Sequence, residues 1–336
     1  MSAVPAVDEE LTRFVRVDEA ADLSVILVNY NTAHLLERCL GHLRAASREL
    51  AVRVVIVDNA SRDGSAALIR ERFPDCVLVA NETNVGFGRA NNQALALCPG
   101  PYVLLLNVDA FVFPDTLTKC LRHMAANPRC GVLGARLLNE AGHGFYTGRP
   151  FPHPWQDFLI RTGLRREPPH VMLPLDARPA SGGDSWHCDW VVGCFYMVRR
   201  DVIERIGLFD PRYFLYFEEV DHCHAVWQAG WTVECLAGAH VIHIGGASAE
   251  SEGELTASGR QISELQIESE LLYFRKHNGF VGLLWIVMLN LTVNVVHALK
   301  WVLRGRRWAG LKVFWRNAAT VSRLALQTRL GVRATR

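Results

Sequence analysis

The stretch Leu23-Ser-Val-Ile-Leu-Val28, closed by Asn29-Tyr-Asn31, decides the fold. It is apolar, β-branched at Val25, Ile26 and Val28, and bounded by turn formers, so it reads as a buried strand. Residues 33–46 then carry Leu35, Leu36, Cys39, Leu40 and Leu43 at helical spacing. A second buried strand, Val52-Arg-Val-Val-Ile-Val57, ends at Asp58-Asn59. The alternation continues with a helix over 66–73, a strand over 76–79 and a helix over 88–97. A strand over 102–106 is stopped by Asn107-Val-Asp109, and a helix over 114–126 has Pro114 suited to its first turn.

Strands alternating with helices in this way predict an α/β domain of parallel βαβ units. Ligands of open sheets bind beyond the carboxyl ends of the strands. The polar residues fall at those ends: Asn29 and Asn31, Asp58, Asn81 to Asn84, then Asn107 and Asp109. Four loops are expected to converge on one rim.

After about residue 135 the pattern breaks. Residues 139–187 are rich in Gly, Pro, His and Arg and read as long loops near an acceptor. Short strands are expected at Trp190-Val-Val, 195–198, 231–235 and 239–243. A helix is expected over 200–206, and another from the Phe214 to Asp221 stretch to Ala229. No internal repeat or low-complexity tract is present.

Composition sets the limits. The chain has 336 residues, half of them hydrophobic and 21% charged. That excludes a disordered chain, a collagen-like chain and a multi-span transporter. Nine cysteines with no C-x-x-C read as reduced cytosolic thiols, not a disulfide scaffold. Residues 1–22 lack the apolar core of a signal peptide and read as a loose extension. Residues 271–336 hold twelve Lys or Arg and no Asp or Glu, so residues 1–270 carry a net charge of −10. An acidic body with a basic, apolar tail points to an anionic partner for the tail. Phe280, Trp285, Trp301, Trp308, Phe314 and Trp315 favour a membrane over nucleic acid.

Several groups suit chemistry. Asp58 at a strand end suits a base imide or a ribose hydroxyl, and equally a capping turn in Asp58-Asn59-Ala-Ser61. Asn84-Val-Gly-Phe-Gly-Arg89 places glycines and an arginine before a helix, where Arg89 suits a phosphate. It is not a G-x-G-x-x-G dinucleotide fingerprint. Asp109, with Asn107 in place of a second acid, suits a divalent cation on a diphosphate, and also a capping turn. Phe217-Glu218-Glu219-Val-Asp221 crowds carboxylates among aromatics, which raises pKa values toward those of a general base; a solvated helix start is the plainer alternative. His222-Cys-His224 reads as packing, because adjacent helical residues point apart. His243, before Gly245, is the better histidine ligand candidate.

Taken in order, Val28-Asn-Tyr-Asn31, Val57-Asp-Asn-Ala-Ser61, Asn84-Val-Gly-Phe-Gly, Asn107-Val-Asp109, Trp190-Val-Val-Gly193, Phe217-Glu-Glu-Val-Asp221 and His243 resemble family 2 glycosyltransferases. The resemblance covers roughly residues 22–248 and is strongest to the rhamnosyltransferase-like branch of bacterial surface polysaccharide synthesis. It implies a GT-A fold, a Rossmann-like nucleotide-diphospho-sugar transferase, over 23–248. A 1–22 extension precedes it and a helical, membrane-associating region over 249–336 follows. It implies an inverting transfer from a nucleoside diphosphate sugar (dTDP-rhamnose-like or a UDP-sugar) to a glycan or lipid-linked saccharide. Mg2+ or Mn2+ would assist, and no nucleic acid takes part.

By position, the resemblance gives Tyr30, Asn31, Asp58, Asn84, Gly86, Arg89 and Asn107 to the sugar nucleotide. It gives Asp109 and His243 to the metal, and Trp190 and Gly193 to the acceptor. Glu219 becomes the base, with Asp221 supporting and Glu218 able to share or exchange the role. The departures are Asn107 for an acid, and Glu-Glu where Glu-Asp or Asp-Asp is common. A hexosyl or galactofuranosyl transferase of the same fold, or a silent sugar nucleotide-binding scaffold, stays open.

Residues 280–299 lack Asp, Glu, Lys and Arg, long enough to span a bilayer, yet Asn290, Thr292, Asn294 and His297 interrupt them. Further on, Lys312, Arg316 and Arg323 share one helical face opposite Leu311, Phe314, Trp315, Ala318, Val321 and Ala325. The expected location is the cytoplasmic face of the plasma membrane, peripheral or with one hydrophobic segment.

Overall fold

The computed structural model describes residues 14–16, 19–144, 147–164, 184–245, 260–303 and 307–336. They form two compact units. The first takes its described residues from Met1–Pro150, Val171–Phe209 and Glu219–Gly253; the second takes its described residues from Phe151–His170, Asp210–Glu218 and Glu254–Arg336.

The first unit is built on β1 (Leu23–Asn29), β2 (Val52–Asp58), β3 (Val77–Ala80), β4 (Tyr102–Asn107), β5 (Ala110–Val112), β6 (Cys130–Leu138), β8 (Ser185–His187), β10 (Phe195–Arg199) and β11 (Thr232–His243). The strand order is β3-β2-β1-β4-β10-β6-β11-β5, with β8 beside β11. β7 (Gly148–Arg149) and β9 (Trp190–Val191) form a separate ribbon. Strands β1 to β4 pair in parallel, as the alternation requires. Beyond β4 the sheet is mixed: β10 runs antiparallel to both β4 and β6, and β11 antiparallel to β5 and β8. The purely parallel expectation therefore holds only for the first half.

The core follows from the apolar runs. Helix α1 (Ala33–Ala46) buries Leu35, Leu36, Cys39, Leu40, Leu43 and Ala46. These pack with Val25, Leu27, Val54, Ile56, Leu104, Leu106, Phe111 and Phe195. Each buried Leu, Val, Ile or Phe side chain here gains about 1.5–3 kcal/mol on leaving water. The other helices here are α2 (Ser65–Arg72), α3 (Phe87–Leu95), α4 (Thr116–Ala126), α6 (Arg200–Ile206) and α7 (Glu218–Gln228), whose first residue falls to the second unit. All nine cysteines are free.

Three sequence expectations change. The N-terminal residues described are not loose: Phe14 is fully buried, and Val15 donates its amide to the Val52 carbonyl at 2.9 Å. β6, nine residues and all buried, lies where the pattern was taken to fade. Finally, 231–235 and 239–243 are not two strands but one, β11, with a register shift between Leu236 and His240.

The second unit holds α5 (Pro154–Arg161), α8 (Arg260–Leu303) and α9 (Arg307–Gln327). α8 breaks helical geometry only at Gly279, whose φ of 65° favours glycine. The stretch Glu264–Leu303 is long and apolar enough to cross a membrane, with a mean hydropathy of 2.0 over its most apolar window. Its far half is two-faced. Leu283, Ile286, Leu289, Asn290 and Val293 are buried, while Phe280, Val281, Leu284, Trp285, Met288, Val295 and Leu299 are exposed. On α9, Val321, Leu324 and Ala325 are buried. Trp315, expected on that face, is 68% exposed.

Candidate active site

The register brings the polar strand ends together. Asn29 sits opposite Asp58, Asp58 opposite Ala80, and Val28 opposite Asn107. One rim results, as the strand-end rule requires.

On its first side the rim is an amide and carboxylate network. Asp58, 3% exposed, accepts from Asn29 Nδ2 at 2.7 Å and from the Ser61 amide at 3.2 Å. Ser61 Oγ accepts from the Asn31 amide at 3.0 Å, and Asn31 Oδ1 accepts from the Arg62 amide at 2.7 Å. Asn59 Nδ2 donates to Asn84 Oδ1 at 2.8 Å, which also accepts the Gly86 amide at 2.9 Å. Both Asp58 oxygens are thus engaged within the chain. Asp58 and Asn84 fix the loops; Tyr30, Asn31, Asn84, Arg89 and Asn107 are partly exposed, whereas Asp58 and Gly86 are buried. Asn31 and Ala60 take φ values of 53° and 68°. Non-glycine residues there cost about 1–3 kcal/mol each, and such strain concentrates at binding loops.

At the next position, β4 delivers Asp109, 8% exposed, and β11 delivers His243 through the pairing of His243 with Ala110. His243 Nε2 lies 3.3 Å from Asp109 Oδ1. Two donors on one ion, with bonds of about 2.1 Å near right angles, lie about 3 Å apart. The oxygen and imidazole pair therefore fits a Mg2+- or Mn2+-class ion, with its other positions left to phosphate and water. Burial alone would lower the His243 pKa; Cys194 and Asp109 outweigh it and push it up to about 11. A bound cation would displace that proton. Asn107 sits at the end of β4, where its amide donates to the Cys194 carbonyl at 3.0 Å.

The carboxylates enter from α7. Glu219 is half-buried, whereas Glu218 and Asp221 are each 3% exposed. Glu219 Oε1 lies 3.7 Å from the point a Cβ on Gly193 would occupy. Burial raises the Glu219 pKa, opposed by the amides of Glu219, Gly193 and Val220 and by the Arg149 charge. Its Oε2 has no hydrogen-bond partner among the described residues. A buried carboxylate oxygen without a donor is costly and calls for a role. The two residues before α7, Tyr216 and Phe217, both have φ of 71°, a strained backbone for non-glycine residues.

Trp190 donates Nε1 to the Pro150 carbonyl at 2.7 Å and faces Arg149, whose guanidinium carbon is 5.5 Å from the ring centroid. His222 is structural: Nε2 lies 3.1 Å from the Gly207 carbonyl, and Nδ1 accepts from the Tyr196 hydroxyl at 2.7 Å.

Two residues absent from the sequence reading matter here. Cys194 follows Gly193, so two consecutive residues touch both halves of the site: Gly193 the Glu219 carboxylate, Cys194 the imidazole of His243. The signal lay in the Trp-Val-Val-Gly motif, read one residue too short. Arg149, in the loop-rich stretch, had no sequence signal.

A second group of possible ligands, His123, Cys130 and Glu234, brings its donor atoms within 4.8 Å of one another. His123 and Thr232 already hold the Glu234 carboxylate at 2.9 and 2.8 Å, the first cause of its pKa falling to about 2. The group is a closed network and is assigned no ion.

A mixed α/β sheet whose strand ends form one rim of amide-lined loops is the architecture of a GT-A-type fold. The comparisons agree. Residues 24–207 match the model of glycosyl transferase family 2. The chain belongs to that family and is a glycosyltransferase. It is 29% identical over 245 residues to the N-acetylglucosaminyl-diphospho-decaprenol L-rhamnosyltransferase of Mycobacterium tuberculosis, covering 66% of this chain and 75% of that one. It is 25% identical over 237 residues to the O-antigen biosynthesis protein RfbC of Myxococcus xanthus, covering 68% of this chain and 18% of that protein. Among solved structures it is similar to a mannosyltransferase from Pyrobaculum calidifontis in complex with GDP-Man and Mn2+. There the TM-score is 0.53 and the identity 16%, over 96% of this chain and 90% of that one.

Proposed function

We propose that this protein is an inverting, metal-assisted glycosyltransferase that moves rhamnose or a related deoxyhexose from a nucleoside diphosphate to a lipid-linked or polysaccharide acceptor. The observation that carries this reading is the pair Gly193-Cys194, which adjoins the Glu219 carboxylate, one oxygen of it without a partner, on one side and the Asp109–His243 donors on the other. The rhamnosyl donor and lipid diphosphate acceptor rest on the printed name of the Mycobacterium tuberculosis relative.

The chemistry follows from the residues. The acceptor hydroxyl must lose its proton as it attacks the anomeric carbon. Glu219 is the base, because it alone of the three acids is partly exposed. The amides of Glu219, Gly193 and Val220 hold it in place. Trp190 offers the acceptor sugar an apolar ring face, and Arg149 behind it moderates the Glu219 pKa. Tyr30, Asn31 and Arg89 contact the nucleotide on loops pinned by Asp58 and Asn84. Asp109 and His243 would hold the divalent ion, with Asn107 beside them as a neutral oxygen donor; such an ion offsets charge on the departing diphosphate. A single displacement needs no enzyme nucleophile, and it inverts the anomeric centre.

The exposed apolar face of α8 and the basic tail support a location on the cytoplasmic, anionic leaflet of the plasma membrane. Purified protein with Mn2+ should be stabilised by one donor in a panel of nucleoside diphosphate sugars, and should then transfer that sugar to a lipid diphosphate saccharide. Stabilisation by a hexose donor alone would replace the rhamnosyl assignment. No response to any donor would favour a silent scaffold.

A further inference from the structure

We infer that the second unit contains a site for the phosphate headgroup of an anionic membrane lipid, between α5, α8 and α9. This rests on the proposed membrane association of α8 and adds a recognition element to it. The polar residues that interrupt the apolar helix are not scattered. Asn290, Asn294, His297 and Trp301 follow one another at intervals of four, three and four, so they share one face. That face meets Arg161 of α5 and Asn317 of α9.

A cavity of about 290 Å3 lies there, lined by Arg161, Val293, Asn294, His297, Trp301 and Asn317, with Ala298 in its wall. Small-molecule sites run from about 300 to 1,000 Å3, so this one suits a headgroup and not a sugar nucleotide. No Asp or Glu lines it. The Arg161 side chain is 38% exposed and uses one N–H on Asn290 Oδ1 at 2.8 Å and approaches Glu270 at 3.6 Å. A guanidinium has five N–H donors, so others remain for phosphate oxygens, where Arg binds in bidentate fashion. Beside it, Lys300 donates to the Thr162 carbonyl at 2.6 Å, and His297 Nε2 lies 2.8 Å from the Arg161 carbonyl. Asn317 Nδ2 donates to Asn294 Oδ1 at 3.2 Å.

Val295, Leu299 and Val302, exposed by 51%, 56% and 37%, lie on the opposite face of the same helix. With that face in a leaflet, the phosphates presented to the cavity at the leaflet border are those of lipid headgroups.

The test is flotation of the full-length protein with vesicles of phosphatidylcholine alone, or with added phosphatidylglycerol or polyprenyl phosphate at equal charge. Binding should rise with either anionic lipid, and the stronger of the two names the headgroup. Arg161→Gln should lose clearly more of that preference than the roughly fivefold that any one cation at a leaflet contributes. Ala298→Phe, which fills the cavity and leaves every cation in place, should do the same. Arg316→Gln, an exposed cation on the basic face of α9, should lose no more than that roughly fivefold. Equal losses in Arg316→Gln and Arg161→Gln, or wild-type preference in Ala298→Phe, would overturn the site and leave membrane association standing. Displacement by inorganic phosphate at the same phosphate concentration would assign the cavity to the free ion instead. No binding to any vesicle would remove the membrane reading itself.

Discussion

Replacing Glu219 with Gln removes the proton acceptor and almost nothing else. The Gln carbonyl still accepts from the Gly193 and Val220 amides, and Gly193 leaves room, since even a Cβ there would stand 3.7 Å from the carboxyl. A positioned general base contributes about 10²–10⁴ in rate. Because positioning survives, the loss is that of proton transfer alone, about 10³-fold in kcat, or about 4 kcal/mol on the barrier. Donor affinity should stay within about threefold, because the nucleotide loops do not use Glu219. The variant should also keep its Tm, since a neutral amide replaces a carboxylate whose ionisation burial opposes. The assay is nucleoside diphosphate release under saturating donor and acceptor, beside donor titration by thermal shift. A kcat within tenfold of the parent at unchanged Tm would refute the assignment. Loss only in Glu218→Gln would move the role one residue.

Further outcomes are expected. Raising pH should increase activity and lower stability together: Glu219 must ionise to act, and its folded pKa lies above the ordinary 4.5. Its contribution to stability is therefore full below that value and is lost as pH climbs through the raised one; paired pH profiles of kcat and Tm, with Glu219→Gln as control, would show it. Asp109→Asn should abolish the Mn2+-dependent part of donor stabilisation in thermal shift while leaving the metal-free Tm within a few degrees. Gly134→Ala should cost about 1–3 kcal/mol in denaturant unfolding, because a Cβ there would stand 2.9 Å from the Val191 side chain and 3.2 Å from that of Thr147. Tyr196→Phe should lower stability by about 1 kcal/mol through the lost bond to His222, with kcat nearly unchanged.

The first half of the fold was legible because burial on both faces writes itself as unbroken apolar runs. Leu23–Asn29, Val52–Asp58 and Tyr102–Asn107 extend the expected strands by one residue each. β6 escaped because Cys130-Gly-Val-Leu-Gly-Ala-Arg-Leu-Leu138 carries two glycines and an arginine, poor strand formers. Those glycines answer to tertiary packing: a Cβ on Gly131 would stand 2.8 Å from Trp231. Likewise, Ala237-Gly238 reads as a break, but the chain absorbs it as a shift of register within β11.

The position of β10 between β4 and β6 depends on pairing distant in sequence, which periodicity does not carry. The strand-end residues were legible for the reason the rim exists. Their division of labour was not: that Asp58 is consumed by Asn29 and Ser61, and that Cys194 faces His243, are facts of contact. The tail was legible in charge and hydropathy, but the shared face of Asn290, Asn294 and His297 acquires meaning only opposite Arg161.

The most direct test of the account is the anomeric configuration of the product. With the active donor identified, the linkage formed by the wild-type enzyme can be read by NMR against that of the donor. Attack by the acceptor in one displacement, with Glu219 as base, predicts the opposite configuration. The same configuration would require a covalent or front-face route, and would contradict the role given to Glu219.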